Sequence, residues 1–348
     1  MNDIIKPLGK NGYQLPKKVG LIYSFVKRSY FPTYSQYITE NDSRKEAYLT
    51  AKYLNKMGIK TILYPGNGDL SKKLLRDNPD VVINITGSVH GQEFLAASIP
   101  GVLEILEIPY TGAGILGESL SYNKFLVNKL LEQNGIPVPN YQLFNSYNDP
   151  ISPNLRFPLM AKLNEIHGAV ELTFDSISET EKHLRDRLKF LIKTYDQPVL
   201  VQEFIVGREI TAVLLEGLNK KVYLAEVIMK RQIGKYTFKS FELQWYRKYA
   251  DIINYQIYKD PILNEYVKKA FSITDMADYG RFDIRLDNSG RYYFLDANSN
   301  PHLAPFETGS PVTCILKLYG LSFTDIMKRL LINTVRDAKG KEKLPITP

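Results

Sequence analysis

Apolar positions along this chain follow two periods. Val19–Phe25 is a continuous apolar, β-branched and aromatic run of strand length, and Thr61–Tyr64 and Asp80–Ile85 repeat it. Between the first two, Tyr48, Ala51 and Leu54 recur at helical spacing within Arg44–Met57, and Gly58 follows as a stop. Short apolar strands alternating with helical segments predict a parallel, doubly wound α/β layer. Ligands in such sheets bind beyond the C-terminal strand ends, so Asn84-Ile85-Thr86-Gly87 either lines a cleft or forms a polar turn into the next helix.

The pattern then changes to α+β. Ser121 is a candidate cap for a helix running to Gln133, which Asn134-Gly135, Pro137 and Pro139 close. Phe157–Lys162 reads as a strand, and the charged stretch Ser176–Tyr195 as a solvated surface helix. Val199–Ile205 is an apolar strand that breaks at Gly207 and resumes from Glu209, as expected of a hinge between two lobes. Val222–Met229 should pair with Ile210–Leu215 across the Glu216–Asn219 turn. Pro261–Ala277 is helical by pattern, and Ser322 should cap a last helix, Phe323–Val335, with Asp325 in its first turn.

Gly280–Pro301 holds the densest chemistry. Arg281–Leu286 and Arg291–Ala297 read as two strands joined by Asp287-Asn288-Ser289-Gly290. With Leu286 opposite Arg291, Asp283 falls opposite Phe294, and Asp283, Asp296 and Asn298 share one face as diagonal neighbours. Two carboxylates and an amide oxygen on stiff strands can hold Mg²⁺, which takes oxygen ligands and usually completes its shell with substrate phosphates. A slip of one residue would scatter them. The alternative is an ordinary hairpin whose solvated face carries Arg281, Asp283 and Arg285.

Composition narrows the class. At 348 residues, 44% hydrophobic and 24% charged, the chain can bury two or three cores. The single Cys314 cannot form an internal disulfide, and it reads as a small buried hydrophobe in a reducing compartment. MNDIIKPLGKNGY lacks the apolar core of a signal peptide, and no run of about 18 apolar residues could span a bilayer, so a cytoplasmic protein without membrane contact is expected. A net charge of +8 favours anionic partners, but the lysines form no dense block, so a nucleotide accounts for it as well as nucleic acid does. The Trp245–Tyr249 patch is one aromatic-basic cluster without a partner, and a nucleic-acid platform is not expected from it. Gly112-Ala-Gly114-Ile-Leu-Gly117 matches a dinucleotide pattern, yet Ile108–Thr111 leaves little room for the strand that would give it meaning.

Arg281-Phe-Asp283 followed by Asp296-Ala-Asn298-Ser-Asn-Pro301 resembles the metal-binding strands of the ATP-grasp superfamily, in particular D-alanine–D-alanine ligases, where R-x-D is followed by E-x-N. Asp296 stands for the usual glutamate, one methylene shorter. EIPYTGAGILGESLSYNK and the Glu203–Glu209 segment are similar to further family stretches, so the resemblance covers Asp80 to Val312. It implies an α/β N-terminal parallel-sheet domain (1–120), a central lobe (121–205), a C-terminal lobe with the metal hairpin (206–337), the two lobes sandwiching the nucleotide, and a frayed tail (338–348).

The resemblance also implies roles. Asp283, Asp296 and Asn298 would hold two Mg²⁺ ions, replaceable by Mn²⁺. Lys124 and Lys162 would meet the phosphates of ATP beneath the flap Asn164–Ala169, where His167 is either a phosphate donor or a packing residue. Gln202, Glu203, Phe204 and Ile205 would meet the adenine edge, largely through backbone groups, and Glu209 the ribose hydroxyls. Lys239, or Lys235 close behind it, would reach the γ-phosphate, and Arg281 the acyl-phosphate oxygens. The implied activity is carboxylate–amine ligation through an acyl phosphate, with amino-acid or peptide substrates and a homodimer as a compatible assembly. The G-G-x-S-x-E and H-G-x-x-G-E-D-G stretches of D-alanine ligases are replaced by Ser24–Pro32 and Thr86–Glu93, which points away from D-Ala plus D-Ala. Lys27 and Arg28 beyond the first strand then suggest an acidic substrate. A true D-alanine–D-alanine ligase, a non-catalytic nucleotide-binding module and a basic nucleic-acid binder remain as alternatives.

Overall fold

The computed structural model describes residues 15–231, 234–249 and 251–338. The N-terminal stretch 1–14, the tail 339–348, and Gln232 and Ile233 of the basic loop lie outside the described residues. Four parallel strands open the chain: β1 (Lys18–Ser24), β2 (Lys60–Gly66), β3 (Val81–Ile85) and β4 (Tyr110–Thr111), in the order β2-β1-β3-β4. Alternation divides β1 between two cores. Val19, Leu21 and Tyr23 pack with Leu54, Ile83 and the helix Phe323–Ala338, whereas Ile22 packs with Tyr64, Val82 and Leu103. Burial on both faces explains why these strands read as unbroken apolar runs.

The second sheet is antiparallel: β5 (Tyr141–Phe144), β6 (Leu159–Leu163), β7 (Ile177–Ser178) and β8 (Val199–Glu203), in the order β5-β8-β6-β7. The charged stretch expected as one solvated helix divides into β7 and a helix, Glu181–Tyr195, capped by Thr180. That helix is amphipathic. Leu184, Leu188, Leu191 and Tyr195 are buried against Phe144, Leu159 and Val201, each leucine contributing roughly 1.5–3 kcal/mol of transfer free energy.

The third sheet comprises β9 (Gly207–Glu216), β10 (Lys220–Met229), β11 (Ile253–Tyr258), β12 (Tyr279–Asp287) and β13 (Tyr292–Asn298), in the order β11-β10-β9-β12-β13. Gly207 pairs with Asp287 where the chain passes from β8 into β9. Its φ is +155°, and a Cβ there would lie 2.1 Å from the Leu286 carbonyl oxygen, so only glycine lets the two lobes meet. The glycine repeat after β4 has another cause than dinucleotide binding. A Cβ on Gly117 would meet the Asp275 carbonyl oxygen at 2.1 Å, so this residue is small because a helix and a loop touch there.

Two expectations are corrected here. Ser121 ends a short helix, Ile115–Ser121, and the next helix, Lys124–Gln133, is capped by Asn123, whose side chain accepts from the Leu126 N–H. Ser121 instead donates to the Ala297 carbonyl and accepts from the Ser299 N–H, anchoring the end of β13. The hairpin register also differs. The Asp287 carboxylate accepts from Ser289 and Arg291 backbone N–H groups, the Asp287 N–H bonds the Arg291 carbonyl, and Gly290 has a φ of +85°. This three-residue loop places Leu286 opposite Tyr292. A bulge at Leu295 then shifts β13 by one further residue, so Asp283 faces Asp296 directly instead of Phe294.

Candidate functional site

β12 is the middle of a three-strand polar stripe. Asp283 lies opposite Asp296 on β13 and Thr211 on β9, Arg281 opposite Asn298, and Arg285 opposite Glu209. Phe282, Ile284 and Leu286 turn to the other face and are buried with Ala212, Phe271 and Phe294. Period-2 alternation on rigid, apolar-backed strands thus fixes every polar group on one side.

Asp283 is held by three donors: Lys239 Nζ at 2.9 Å, Thr211 Oγ1 at 3.2 Å and Arg281 at 3.0 Å. Burial alone would raise its pKa, but the Arg281 and Lys239 charges outweigh it and hold the carboxyl well below the usual range. Lys239 is the reciprocal case, since burial disfavours its charge while Asp283 and Glu209, the latter at 3.4 Å, more than restore it. Glu209 also accepts from the Lys239 N–H at 3.2 Å and lies 3.4 Å from Arg285. Arg285, which the alternative of an ordinary hairpin would leave on a solvated face, is 3% exposed. It donates to the Ile205, Gly207 and Thr237 carbonyls and sits over the Phe204 ring, and so braces the inter-lobe crossing.

Of the two lysines on the basic loop, Lys239 reaches this network, whereas Lys235 pairs with Glu179 at the surface. Lys162 is buried, and burial followed by the neighbouring Lys124 charge pushes it down to about 8 against the pull of Asp296. Lys124 is also buried, and its Nζ donates to the Ile166 carbonyl at 2.8 Å. Its role in this geometry is to tether the base of the flap, with Asn164 bonded to the same helix start. The flap is closed on three sides. Trp245 donates to the Gly168 carbonyl, the His167 N–H and Nδ1 both lie on Glu93 Oε2, and Gly168 packs on Thr39.

A cavity of about 1340 Å³ runs along the stripe. Its lining includes Met160, Gln202–Ile205 and Phe238, the polar groups Lys162, Lys239, Arg281, Asp283, Asp296 and Asn298, and Tyr34, Glu40, Tyr246, Cys314 and Leu318. Gln202 is buried, and neither its Oε1 nor its Nε2 has a partner. Glu203 points elsewhere, accepting from the Arg156 N–H and from Asn140. The Glu203 and Phe204 N–H groups are committed to the Asn140 and Pro158 carbonyls. The adenine-edge expectation therefore rests on the Gln202 amide more than on those backbone donors. Cys314, expected as a buried hydrophobe, lines the wall half-buried.

Lys27 and Arg28 do not reach the cavity. Lys27 stacks on Phe25 and Tyr30, and Arg28 binds the Phe31 carbonyl. Glu40, which sequence reasoning missed, lines it instead, with Ser88 donating to Oε2 at 2.7 Å. Burial and then the Glu93 charge push its carboxyl up to about 7. Glu93 and Glu40 carry no spacing signal, because each arrives from a segment outside this sheet, whereas Thr211 lies two residues from Glu209 on β9 and shares its face.

The donor set fits a divalent cation. Asn298 Nδ2 donates to the Arg281 carbonyl at 3.5 Å, which leaves its side-chain oxygen uncommitted on the face that carries Asp296 and Asp283. Among the described residues no three His, Cys, Asp or Glu side chains form a self-sufficient cage. A hard cation here would need oxygens from a bound phosphate.

Two antiparallel lobes clasping a lysine-lined cavity, behind a parallel N-terminal sheet, define the ATP-grasp class of ligase. The chain belongs to the D-Ala–D-Ala ligase family: the family model described as D-ala D-ala ligase C-terminus matches residues 130–332. It is similar to the D-alanine–D-alanine ligase of Aquifex aeolicus, 29% identical over 265 residues, covering 74% of this chain and 85% of that protein. The corresponding ligase of Carboxydothermus hydrogenoformans is 27% identical over 80% of this chain and 89% of its own length. The crystal structure of the Bacillus anthracis D-alanine–D-alanine ligase complexed with ATP superposes with a TM-score of 0.71 at 17% identity, over 93% of this chain and 99% of that one. Among the described residues, no helix is long and apolar enough to cross a membrane.

Proposed function

We propose that this chain joins an amino acid or small peptide to an amine in a pairing other than D-Ala plus D-Ala. It would use the ATP-dependent carboxylate–amine ligation of the D-Ala–D-Ala ligase type to which its family assigns it. The observation that carries the substrate reading is the replacement of the G-G-x-S-x-E and H-G-x-x-G-E-D-G stretches of D-alanine ligases by Ser24–Pro32 and Thr86–Glu93. Ser24, Gly87 and Glu93 of those segments line the cavity together with Tyr34, Tyr246 and Leu318.

The chemistry assigned to each residue follows from its surroundings. A carboxylate oxygen of the first substrate attacks the γ-phosphorus of ATP, the bond to the β-phosphate oxygen breaks, and ADP leaves. The amine then attacks the acyl carbon, loses a proton and expels phosphate. No protein nucleophile is required, so the work is positioning and charge stabilisation. Lys162 and Lys239 face the transferred phosphoryl group. Arg281, held by Asp283, donates to the oxygens that gain charge on the acyl carbon. The Gln202 amide reads the adenine edge, where its two unpaired atoms find the partners that burial otherwise denies them. Asp283, Asp296 and Asn298 would hold Mg²⁺, which supplies Lewis-acid neutralisation of the phosphates.

The match to D-alanine ligases over most of their length favours their reaction as a second reading. A screen for ADP release across D- and L-amino acids and dipeptides, with product masses, separates the two. Highest turnover on D-alanine alone would establish the second reading. ADP release with no substrate pair, while ATP still binds, would remove both.

A further inference from the structure

His167 lies in the flap Asn164–Ala169, and its surroundings are specific. Glu93, from the loop after β3, accepts at one oxygen from both the His167 N–H at 2.8 Å and ring Nδ1 at 3.0 Å. A carboxylate oxygen accepts, so Nδ1 carries its proton, and in the neutral ring the lone pair is on Nε2. The Tyr122 ring edge, 5.2 Å away, fixes the imidazole plane. Nε2 is buried, has no hydrogen-bond partner, and lies 4.0 Å from Asp296 Oδ1.

A lone pair aimed at a carboxylate is repulsive unless something positive lies between them. The 4.0 Å gap is too long for a hydrogen bond and close to two metal–ligand bond lengths of about 2.0–2.2 Å. A carboxylate that orients one ring nitrogen while the other faces a second acid is the outer-shell arrangement of metal-binding histidines. We infer that His167 Nε2 is a ligand of the divalent cation held by Asp296, oriented by Glu93. This rests on the reading of the stripe as a metal–nucleotide site. Because Asp296 is shorter than the usual glutamate, a ligand from the flap compensates on the opposite side. It also makes closure of the flap a condition of metal binding. Imidazole suits borderline transition metals better than Mg²⁺, so the site should favour Mn²⁺ or Co²⁺ over Mg²⁺ more than an all-oxygen site does.

The test is electron spin-echo spectroscopy of Mn²⁺ bound to the full chain with a non-hydrolysable ATP analogue. A histidine nitrogen coupling should appear, convert to the ¹⁵N pattern on ¹⁵N-histidine labelling, and vanish in His167→Ala. Should that variant fail to fold, His90→Asn, His183→Asn and His302→Asn must each retain the coupling. Glu93→Gln should weaken Mn²⁺ binding by about 10–100-fold. Mn²⁺ that binds with the analogue but shows no nitrogen coupling, or coupling that survives in His167→Ala, would overturn the inference while leaving the ligase reading intact. Absence of any analogue-dependent Mn²⁺ binding would sink both.

Discussion

Replacing Lys162 by methionine exposes what the nucleotide site costs the fold. Met fills nearly the same volume without a charge. The lysine is 7% exposed, and burial with the Lys124 charge brings it from 10.5 to about 8. That difference of about 2.5 units corresponds to roughly 3 kcal/mol of destabilisation below pH 8, at about 1.4 kcal/mol per unit. The sign follows from proton counting. Between pH 8 and 10.5 the unfolded chain binds more protons at this site than the folded one, so stability rises with pH across that window. The penalty is complete below it and shrinks to under about 1 kcal/mol by pH 10. Thermal unfolding of nucleotide-free protein should therefore show Lys162→Met melting several degrees above the parent at pH 7 and nearly level with it at pH 10. The same variant should lose the stabilisation that Mg·ATP gives the parent. A variant that melts below the parent by equal amounts at both pH values would refute the reasoning, because it would mean that the lysine is stabilised by its partners instead of strained by burial.

Two further substitutions probe the frame of the site. Gly207→Ala combines a backbone conformation unfavourable to L-residues with a 2.1 Å approach to the Leu286 carbonyl, and should cost at least about 2 kcal/mol, read as a lower denaturant midpoint. Unchanged stability would show that the inter-lobe crossing relaxes freely. Gln202→Leu removes two buried, unpaired polar atoms, each costing about 1–3 kcal/mol, so the apo protein should gain stability. It should bind ATP at least tenfold more weakly by calorimetry, and equal ATP affinity would take Gln202 out of adenine recognition.

The strands, and the faces they present, follow from local sequence. Val19–Ser24 and Val81–Asn84 are buried at every position because a parallel sheet is covered on both sides, and β12 alternates Arg281, Asp283 and Arg285 with Phe282, Ile284 and Leu286 because only one of its faces packs on an apolar core. Pairing was the part that needed three dimensions. The Asp287 side chain sets a three-residue turn, and the Leu295 bulge then brings Asp296 opposite Asp283, two one-residue shifts that add to two and so leave no mark in a period-2 pattern. Thr211 reaches the stripe from the neighbouring strand β9, and Glu93 and Glu40 reach the cavity from a loop after β3 and a segment after β1. Sequence periodicity reports what lies next to a residue along one element. Charge shared by groups from different sheets is decided only when the chain closes on itself: there burial lowers the pKa of Lys162, while neighbouring charges overcome burial to lower that of Asp283 and raise that of Lys239.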